Sequence, residues 1–234
     1  MSAIEELDAD TDRDDVESHS MPAEGVKLVR GSYRVEAFHA IADSDLIGAL
    51  YRMMHEAFAP LDELTAMRHC YDEDEWDGYM RDSRIGKLVL FDRSEPIGVL
   101  TAIYQLELAP WLSPSFLRGM FPGRRIFYQS DTIISPEAQR SGHAGLLLEV
   151  AMRLAREDGA IATFSVSDYN ISWGFLDFIQ AEAAKWCDGV VGEIDAHRYY
   201  AFDATAADRP ADAWYPQHAA LLADTSGATG PASS

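Results

Sequence analysis

The stretch that decides the fold is Ile133-Ile134-Ser135-Pro136-Glu137-Ala138-Gln139-Arg140-Ser141-Gly142-His143-Ala144-Gly145. It joins a strand-like apolar run, residues 126–135, to a run over 145–158 whose apolar residues recur at helical spacing. A helix N-terminus leaves backbone N–H groups unpaired and carries partial positive charge. Because Gly142, Ala144 and Gly145 are small, an anionic group can come close to those N–H groups. The stretch therefore predicts a strand–loop–helix unit whose loop can hold a pyrophosphate.

Hydrophobic periodicity predicts further strands and helices on both sides of this unit. The expected upstream elements are a strand over 32–38, a helix between 43 and 60, an acidic helix over 72–81 and a hairpin of strands over 87–91 and 97–105. The expected downstream elements are a strand over 160–166, a helix over 171–184 and two strands over 190–194 and 197–202. Between the hairpin and the central strand, Pro- and aromatic-rich residues 107–125 predict a long structured loop of the kind that lines sites.

The length and the distribution of charge indicate one domain with two tails. The chain has 234 residues, of which 47% are apolar, enough to bury a substantial core. Residues 1–25 hold nine acids and one base without apolar periodicity, which is typical of an acidic, disordered tail. The domain is expected over residues 26–208, and residues 209–234 are expected to form a mostly disordered extension.

Composition also excludes several classes of function. A net charge of −20, from 19 Lys and Arg against 39 Asp and Glu, would repel nucleic acid and anionic membrane surfaces. No basic start precedes an apolar run, and no run approaches the ~18 apolar residues of a membrane span, so a cytoplasmic protein is expected. Two cysteines, Cys70 and Cys187, are too few for a disulfide scaffold or a structural zinc site, and no metal is expected. The motifs of P-loop, dinucleotide-binding, zinc protease and serine hydrolase proteins are missing from the sequence.

The loop and its flanks resemble the GNAT acyltransferase superfamily, whose phosphate loop reads Gln/Arg-x-x-Gly-x-Gly/Ala between a strand and a helix. Gln139, Gly142 and Ala144 match this pattern. The order of elements is similar over about residues 26–203, and the match at residue level covers 133–170. The resemblance implies an α+β fold with a central mixed, mostly antiparallel, twisted sheet and helices on both faces.

The resemblance also implies acetyl-CoA or another acyl-CoA as co-substrate. The residues that would hold its diphosphate follow Gln139 and are Arg140, Ser141, Gly142, His143, Ala144 and Gly145. Ile133 and Ile134 would bind the pantetheine arm through their main chain. Asn170 occupies the place of an Asn that often contacts the cofactor, although an ordinary helix N-cap would also explain it.

The residues that would catalyse transfer are less completely matched. Asp131 stands where some members carry a carboxylate that takes a proton from the acceptor amine, and a purely structural role in the strand stays open. Many members have a Tyr seven residues after the Asn, acting as general acid toward the thiolate, whereas this sequence has Asp177 there. Either Tyr169, Tyr199 or a water replaces it, or the chemistry of the site has changed.

The acceptor site is expected to be apolar and to favour a cation. The aromatic residues in the two segments that wall this site in the family are Trp76, Tyr79, Trp111, Phe116 and Phe121. In a strongly acidic protein they favour a small, positively charged amine with an apolar body over a phosphorylated or carboxylate-rich acceptor. A small molecule is expected rather than a protein, and a protein N-terminus stays open as an acceptor. The predicted function is transfer of an acyl group, expected to be acetyl, from coenzyme A to this amine by direct attack in a ternary complex. The alternative is an acyl-CoA-binding sensor or partner module that has lost catalysis, and the oligomeric state stays open.

Overall fold

The computed structural model describes residues 24–64, 71–186 and 191–196. The strands are β1 (Gly25–Arg30), β2 (Tyr33–Phe38), β3 (Ile85–Asp92), β4 (Glu95–Ile103), β5 (Ile126–Ile134) and β6 (Ile161–Phe164). The helices are α1 (Ser44–Phe58), α2 (Glu73–Arg81), α3 (Pro114–Met120), α4 (Ala144–Glu157), α5 (Asp168–Ser172) and α6 (Phe175–Trp186). Single 3₁₀ turns occur at Ala59–Asp62, Leu106–Leu108 and Pro136–Ala138.

The six strands form one sheet in which they lie in chain order. Each neighbouring pair from β1 to β5 is antiparallel, and β5 and β6 are parallel. A parallel pair needs a crossover, and α4 supplies it between β5 and β6. The α+β fold with a mixed, mostly antiparallel sheet is therefore confirmed.

Two apolar cores lie on opposite faces of the sheet because side chains alternate along each strand. On β3, Leu88 and Leu90 belong to the core that also contains buried residues of α4 and α6. Val89 and Phe91 belong to the second core, which contains the buried residues of α1 and α2. Helices thus cover both faces of the sheet, as the resemblance implies.

Local sequence explains where the first two helices begin. The Asp43 carboxylate caps α1 by accepting hydrogen bonds from the N–H groups of Asp45 and Leu46. Asp72 and Glu75 form a reciprocal capping box at the start of α2. Both helices, the hairpin β3–β4, and the elements β2, β5, α4 and β6 lie close to the predicted ranges.

Four predictions differ from the structure. The helix predicted over 171–184 is two helices, because Gly174 adopts a φ of +80° and breaks the chain direction between α5 and α6. The predicted loop over 107–125 contains α3, and β1 begins at Gly25, inside the segment expected to be a tail. Residues 191–194 are not paired into a strand within the described part of the chain, because a strand requires a partner and not only alternation. The described residues do not include the strand predicted over 197–202, its Tyr199, the extension over 209–234 or either cysteine.

Candidate active site

A cleft opens where β5 and β6 separate. The two strands pair only from Ile126 to Gln129 on β5, whereas β4 pairs with β5 as far as Ile134. Residues 130–134 therefore have β4 on one side and, among the described residues, no strand on the other. The main chain of this segment, including Ile133 and Ile134, lines the cleft.

A β-bulge in β5 accompanies the separation. Thr101 pairs with Asp131 and the next residue of β4, Ala102, pairs with Gln129, so Ser130 is the extra residue. A bulge bends its strand and re-aims the side chains that follow it. Gln129 to Thr132 are half-buried, while the residues before and after them in β5 are buried. The bulge thus presents a short polar segment toward the cleft.

The predicted phosphate loop lies at one end of this cleft. The Gln139 side-chain amide donates to the carbonyl oxygen of Ile134 (3.1 Å), which ties the loop back to β5. Arg140 and Gly142 have φ values of +60° and +80°, while the φ of His143 is −63°. Alternation between left-handed and right-handed conformations turns successive N–H groups toward one side and forms an anion-binding concavity.

The N–H groups of residues 140–144 are the principal polar feature of the loop. None of them makes a short, well-aligned hydrogen bond to an oxygen of the described residues, and α4 has no side-chain cap. Pairing resumes at Gly145, whose N–H donates to the Gly142 carbonyl (3.0 Å). Arg140, Gly142 and Ala144 line the cleft. Five consecutive donors at the start of a 14-residue helix are suited to a diphosphate.

Two loop side chains hold the loop in shape. The Ser141 hydroxyl bonds to the Ala138 carbonyl and to Nδ1 of His143. The His143 ring also packs on Tyr33, with 4.5 Å between ring centroids. The side chains of Ser141 and His143 therefore brace the loop, and their N–H groups stay available for an anion.

Asp131 is held by groups from two neighbouring elements. Its Oδ2 accepts hydrogen bonds from the Thr101 hydroxyl (2.8 Å) and from the Tyr79 hydroxyl (3.4 Å). Burial raises the pKa of Tyr71 and of Tyr79, and the nearby charge of Asp131 raises both further. These tyrosines consequently stay protonated at neutral pH and can donate.

Tyr71 and Thr101 were not predicted as site residues. Tyr71 lines the cleft, and Thr101 reaches Asp131 because the two residues are directly opposite in the β4–β5 register. The register between β4 and β5 is what brings Thr101 to Asp131, and no motif in the sequence indicates it. The register becomes usable only once the bulge at Ser130 is known.

The predicted acceptor residues divide into two groups. Trp111 and Phe116, 43% and 44% exposed, line the cleft together with Phe121. Trp76 is fully buried in the core between the sheet and α1 and α2, so it does not line the cleft as predicted. Tyr79 is outside the lining as well, and it reaches the site through its hydrogen bond to Asp131.

The segment after β6 places three further predicted residues. Ser167 caps α5 by accepting a hydrogen bond from the N–H of Asn170 (3.3 Å), so Asn170 is a residue of the first turn and not the N-cap. Asn170 and Tyr169 both line the cleft. Asp177, at the position of the usual Tyr, is exposed on α6 and is not part of the lining.

The described residues contain neither a metal-binding cluster nor a membrane-spanning helix. No group of three or more His, Cys, Asp or Glu side chains in residues 24–64, 71–186 and 191–196 is arranged to hold a metal ion. In the same ranges no helix has the length and apolar character needed to cross a membrane.

Comparison with known proteins finds similarity in structure alone. No protein-family model and no curated protein sequence matches the chain. An aminoglycoside acetyltransferase from an uncultured soil metagenomic sample, in complex with sisomicin, matches 74% of this chain and 97% of its own at 16% identity and a TM-score of 0.47. An aminoglycoside N-acetyltransferase in complex with CoA matches 74% and 99% at 11% identity and a TM-score of 0.45. The ribosomal-protein-S18-alanine N-acetyltransferase from Escherichia coli matches 62% and 74% at 14% identity and a TM-score of 0.43.

These three proteins belong to the activity class that the sequence resemblance implies. At such identities and TM-scores the likeness does not carry an activity over to this chain.

Proposed function

We propose that this protein is a GNAT-type acyltransferase that moves an acyl group, acetyl above all, from coenzyme A to a small cationic amine. The observation that carries the proposal is the run of five N–H donors at residues 140–144, next to the free edge of β5. Coenzyme A has a diphosphate followed by an arm with two amides. The N–H groups can bind the diphosphate, and the edge of β5 can pair with the amides. Coenzyme A delivers the acyl group and is therefore a co-substrate.

The residues of the cleft fit such a ligand. A Cβ added to Gly142 would meet nothing within 4 Å, so the loop has open space where an anion would lie. The edge of β5 over residues 130–134, which no strand among the described residues pairs, offers main-chain groups that amides can pair with, as an added strand does. Neither feature requires a side chain of a particular type, which accounts for the short motif.

The chemistry is attack of an uncharged amine nitrogen on the thioester carbonyl carbon. The C–S bond then breaks, the amide forms, and the coenzyme A thiolate leaves and takes up a proton. A cationic amine must lose one proton before its nitrogen can attack and a second as the amide forms, so that one proton ends on the thiolate and one in solvent. We assign Asp131, a carboxylate of the cleft, to accept the first, directly or through water. Thr101 and Tyr79 would fix its orientation. Tyr169, which lines the cleft, is the candidate donor to the thiolate.

The acceptor class follows from the walls of the cleft. Trp111, Phe116 and Phe121 supply an apolar surface, and Asp131 supplies a negative charge near the bulge. A cationic amine with an apolar body would satisfy both. A carboxylate-rich or phosphorylated acceptor would face repulsion from Asp131 and from a protein of net charge −20.

A second candidate is an acyl-CoA-binding module without catalysis. The position of Asp177 favours it, because the residue that replaces the usual general acid is exposed and outside the cleft. The two candidates share the phosphate loop and differ only in turnover.

Calorimetry followed by a turnover assay separates them. Acetyl-CoA, free coenzyme A and longer acyl-CoAs are titrated into the protein, and thiol release is then measured with a polyamine, an aminoglycoside, an aromatic amine and a peptide with a free N-terminus. Binding with thiol release from an amine supports the enzyme. Binding without release from any amine supports the module, and no binding of any coenzyme A form contradicts both.

A further inference from the structure

Trp173 is an exposed aromatic residue beside the phosphate loop. Its side chain is 58% exposed, the largest exposed fraction of any aromatic residue among the exposed apolar side chains of the described chain. It follows α5 directly and lines the cleft. Exposing a Trp forgoes the burial that usually stabilises so large a side chain. Its position at the rim of a ligand cleft therefore suggests a binding role.

Arg140 lies over the ring of Trp173. The guanidinium carbon is 5.2 Å from the ring centroid, within the range of a cation–π contact. Tyr169 meets the same ring edge-on, with 6.2 Å between centroids. Arg140 therefore connects the phosphate loop with the aromatic pair after β6.

The charge of Arg140 has no acidic partner among the described residues. Arg84 and Arg118, by contrast, each pair with a carboxylate. A guanidinium stacked on a ring still has its N–H donors at the edge of its plane, where they can bond an oxyanion.

We infer that Trp173 and Arg140 form a platform for the 3′-phosphoadenosine end of coenzyme A. The adenine ring stacks on Trp173, and the Arg140 guanidinium bonds a phosphate oxygen of the same nucleotide. This inference rests on the proposed function, since the loop must first hold the diphosphate. The diphosphate links the pantetheine arm to the adenosine, so the nucleotide lies within reach of residues that flank the loop.

The platform gives this chain a means of distinguishing whole coenzyme A from its pantetheine half. Stacking of a base on an aromatic side chain is worth about 1–3 kcal/mol, or roughly 5- to 150-fold in affinity. The phosphate that Arg140 bonds is the 3′-phosphate, so 3′-dephospho-CoA lacks this charge-assisted contact.

The test compares three ligands by calorimetry: coenzyme A, 3′-dephospho-CoA and 4′-phosphopantetheine, which lacks the adenosine. In Trp173→Ala, the Kd for coenzyme A should rise about tenfold, while that for 4′-phosphopantetheine should not change. Trp173→Phe keeps a smaller ring and should weaken binding less. Because Trp173 is exposed, the thermal unfolding of both variants should match that of the wild type.

Arg140→Gln tests the other half of the platform. It should weaken coenzyme A more than 3′-dephospho-CoA, and so reduce the preference between them. The platform is contradicted if Trp173→Ala binds coenzyme A as the wild type does, or if it weakens coenzyme A and 4′-phosphopantetheine equally, since Trp173 would then only support the loop. Failure of the wild type to bind coenzyme A would instead contradict the proposed function, and the platform with it.

Discussion

At the scale of single residues, Asp131 is the side chain on which turnover is expected to depend. Asp131→Asn keeps the shape and an oxygen that can accept from Thr101, but it removes the proton acceptor. Turnover should fall about 10²-fold or more while the Kd for acetyl-CoA stays the same, because proton transfer usually contributes that much. The measurement is kcat across pH 6 to 9 together with calorimetry.

Tyr79→Phe is the matched control for this substitution. It removes one donor to Asp131 and keeps the ring in the core, so its effect on turnover should be smaller than that of Asp131→Asn. Unchanged turnover of Asp131→Asn over the whole pH range would show that Asp131 is a structural residue of β5.

Lys87 has a different kind of importance, because it is fully buried in β3. Its Nζ donates to the carbonyl oxygens of His39 (2.8 Å) and Asp82 (2.6 Å), which ties the entry to α1 to the exit from α2. Burial lowers the pKa of Lys87 to about 8, below the ~10.4 of an unfolded lysine. Between these two values the unfolded chain binds more protons than the folded one, so this group makes the protein more stable as pH rises.

The effect of Lys87 can be isolated with Lys87→Met. Between pH 7 and pH 9.5, the free energy of unfolding of the wild type should rise by about 2 kcal/mol relative to that of the variant. Urea unfolding at several pH values in this window measures it, and the comparison with the variant cancels the ionisation of tyrosines, which starts near pH ~9 in the unfolded chain. Parallel pH profiles for the two proteins would contradict the expected titration of Lys87.

At the scale of elements, the phosphate loop can be tested by one substitution and its uncharged match. Gly142 has a φ of +80°, so any side chain there strains the backbone by about 1–3 kcal/mol, although the space around it is open. Gly142→Glu and Gly142→Gln share this strain and differ in charge. By calorimetry, Gly142→Glu should abolish acetyl-CoA binding, and Gly142→Gln should weaken it less, because only the former repels the diphosphate. Binding by Gly142→Glu equal to that of the wild type would show that the loop assignment is wrong.

The elements also show what the sequence can predict and what it cannot. The helices α1 and α4 were predictable because their apolar residues recur at helical spacing, and the hairpin and β5 because short, mostly apolar runs end at turn residues. The break between α5 and α6 was not predictable, because a glycine can lie inside a helix or at its end. Only the positive φ of Gly174 shows that it is at an end. Trp76 and Trp111 are the same residue type, yet Trp76 is buried in the core and Trp111 lines the cleft. Helical spacing indicates which face of α2 is apolar, but no local pattern shows whether that face packs on the sheet or lines a cleft.

The site divides in the same way. The loop was predictable because its chemistry needs main-chain N–H groups and small residues, both of which a short motif specifies. The surroundings of Asp131 were not, because Thr101 and Tyr79 come from different elements and meet it only through the bulge at Ser130. Contacts between distant parts of the chain are set by register and packing, which a motif does not encode.

At the scale of the whole molecule, charge is the dominant feature, and much of it lies before the first strand. Residues 1–23 contain eight acids and one base, whereas Glu24 already belongs to the fold, since its carboxylate accepts the N–H of His39 (2.8 Å). The excess of acids should attract a cationic acceptor over distances longer than a contact. Such attraction extends about 30 Å at 0.01 M ionic strength and only ~3 Å at 1 M.

Deletion of residues 1–23 should therefore leave the thermal unfolding midpoint and the Kd for acetyl-CoA nearly unchanged, because the deleted residues have too little apolar content to build a core. For a polyamine acceptor, kcat/KM should fall a few-fold at about 0.01 M ionic strength and converge with that of the full chain as salt approaches ~1 M. An acceptor with a single charge should show a smaller difference and serves as the control.

A difference that persists at high salt would mean that the deleted residues contact the acceptor directly, and a lower unfolding midpoint would mean that they contribute to the fold. Either result would contradict a purely long-range role for this acidic segment.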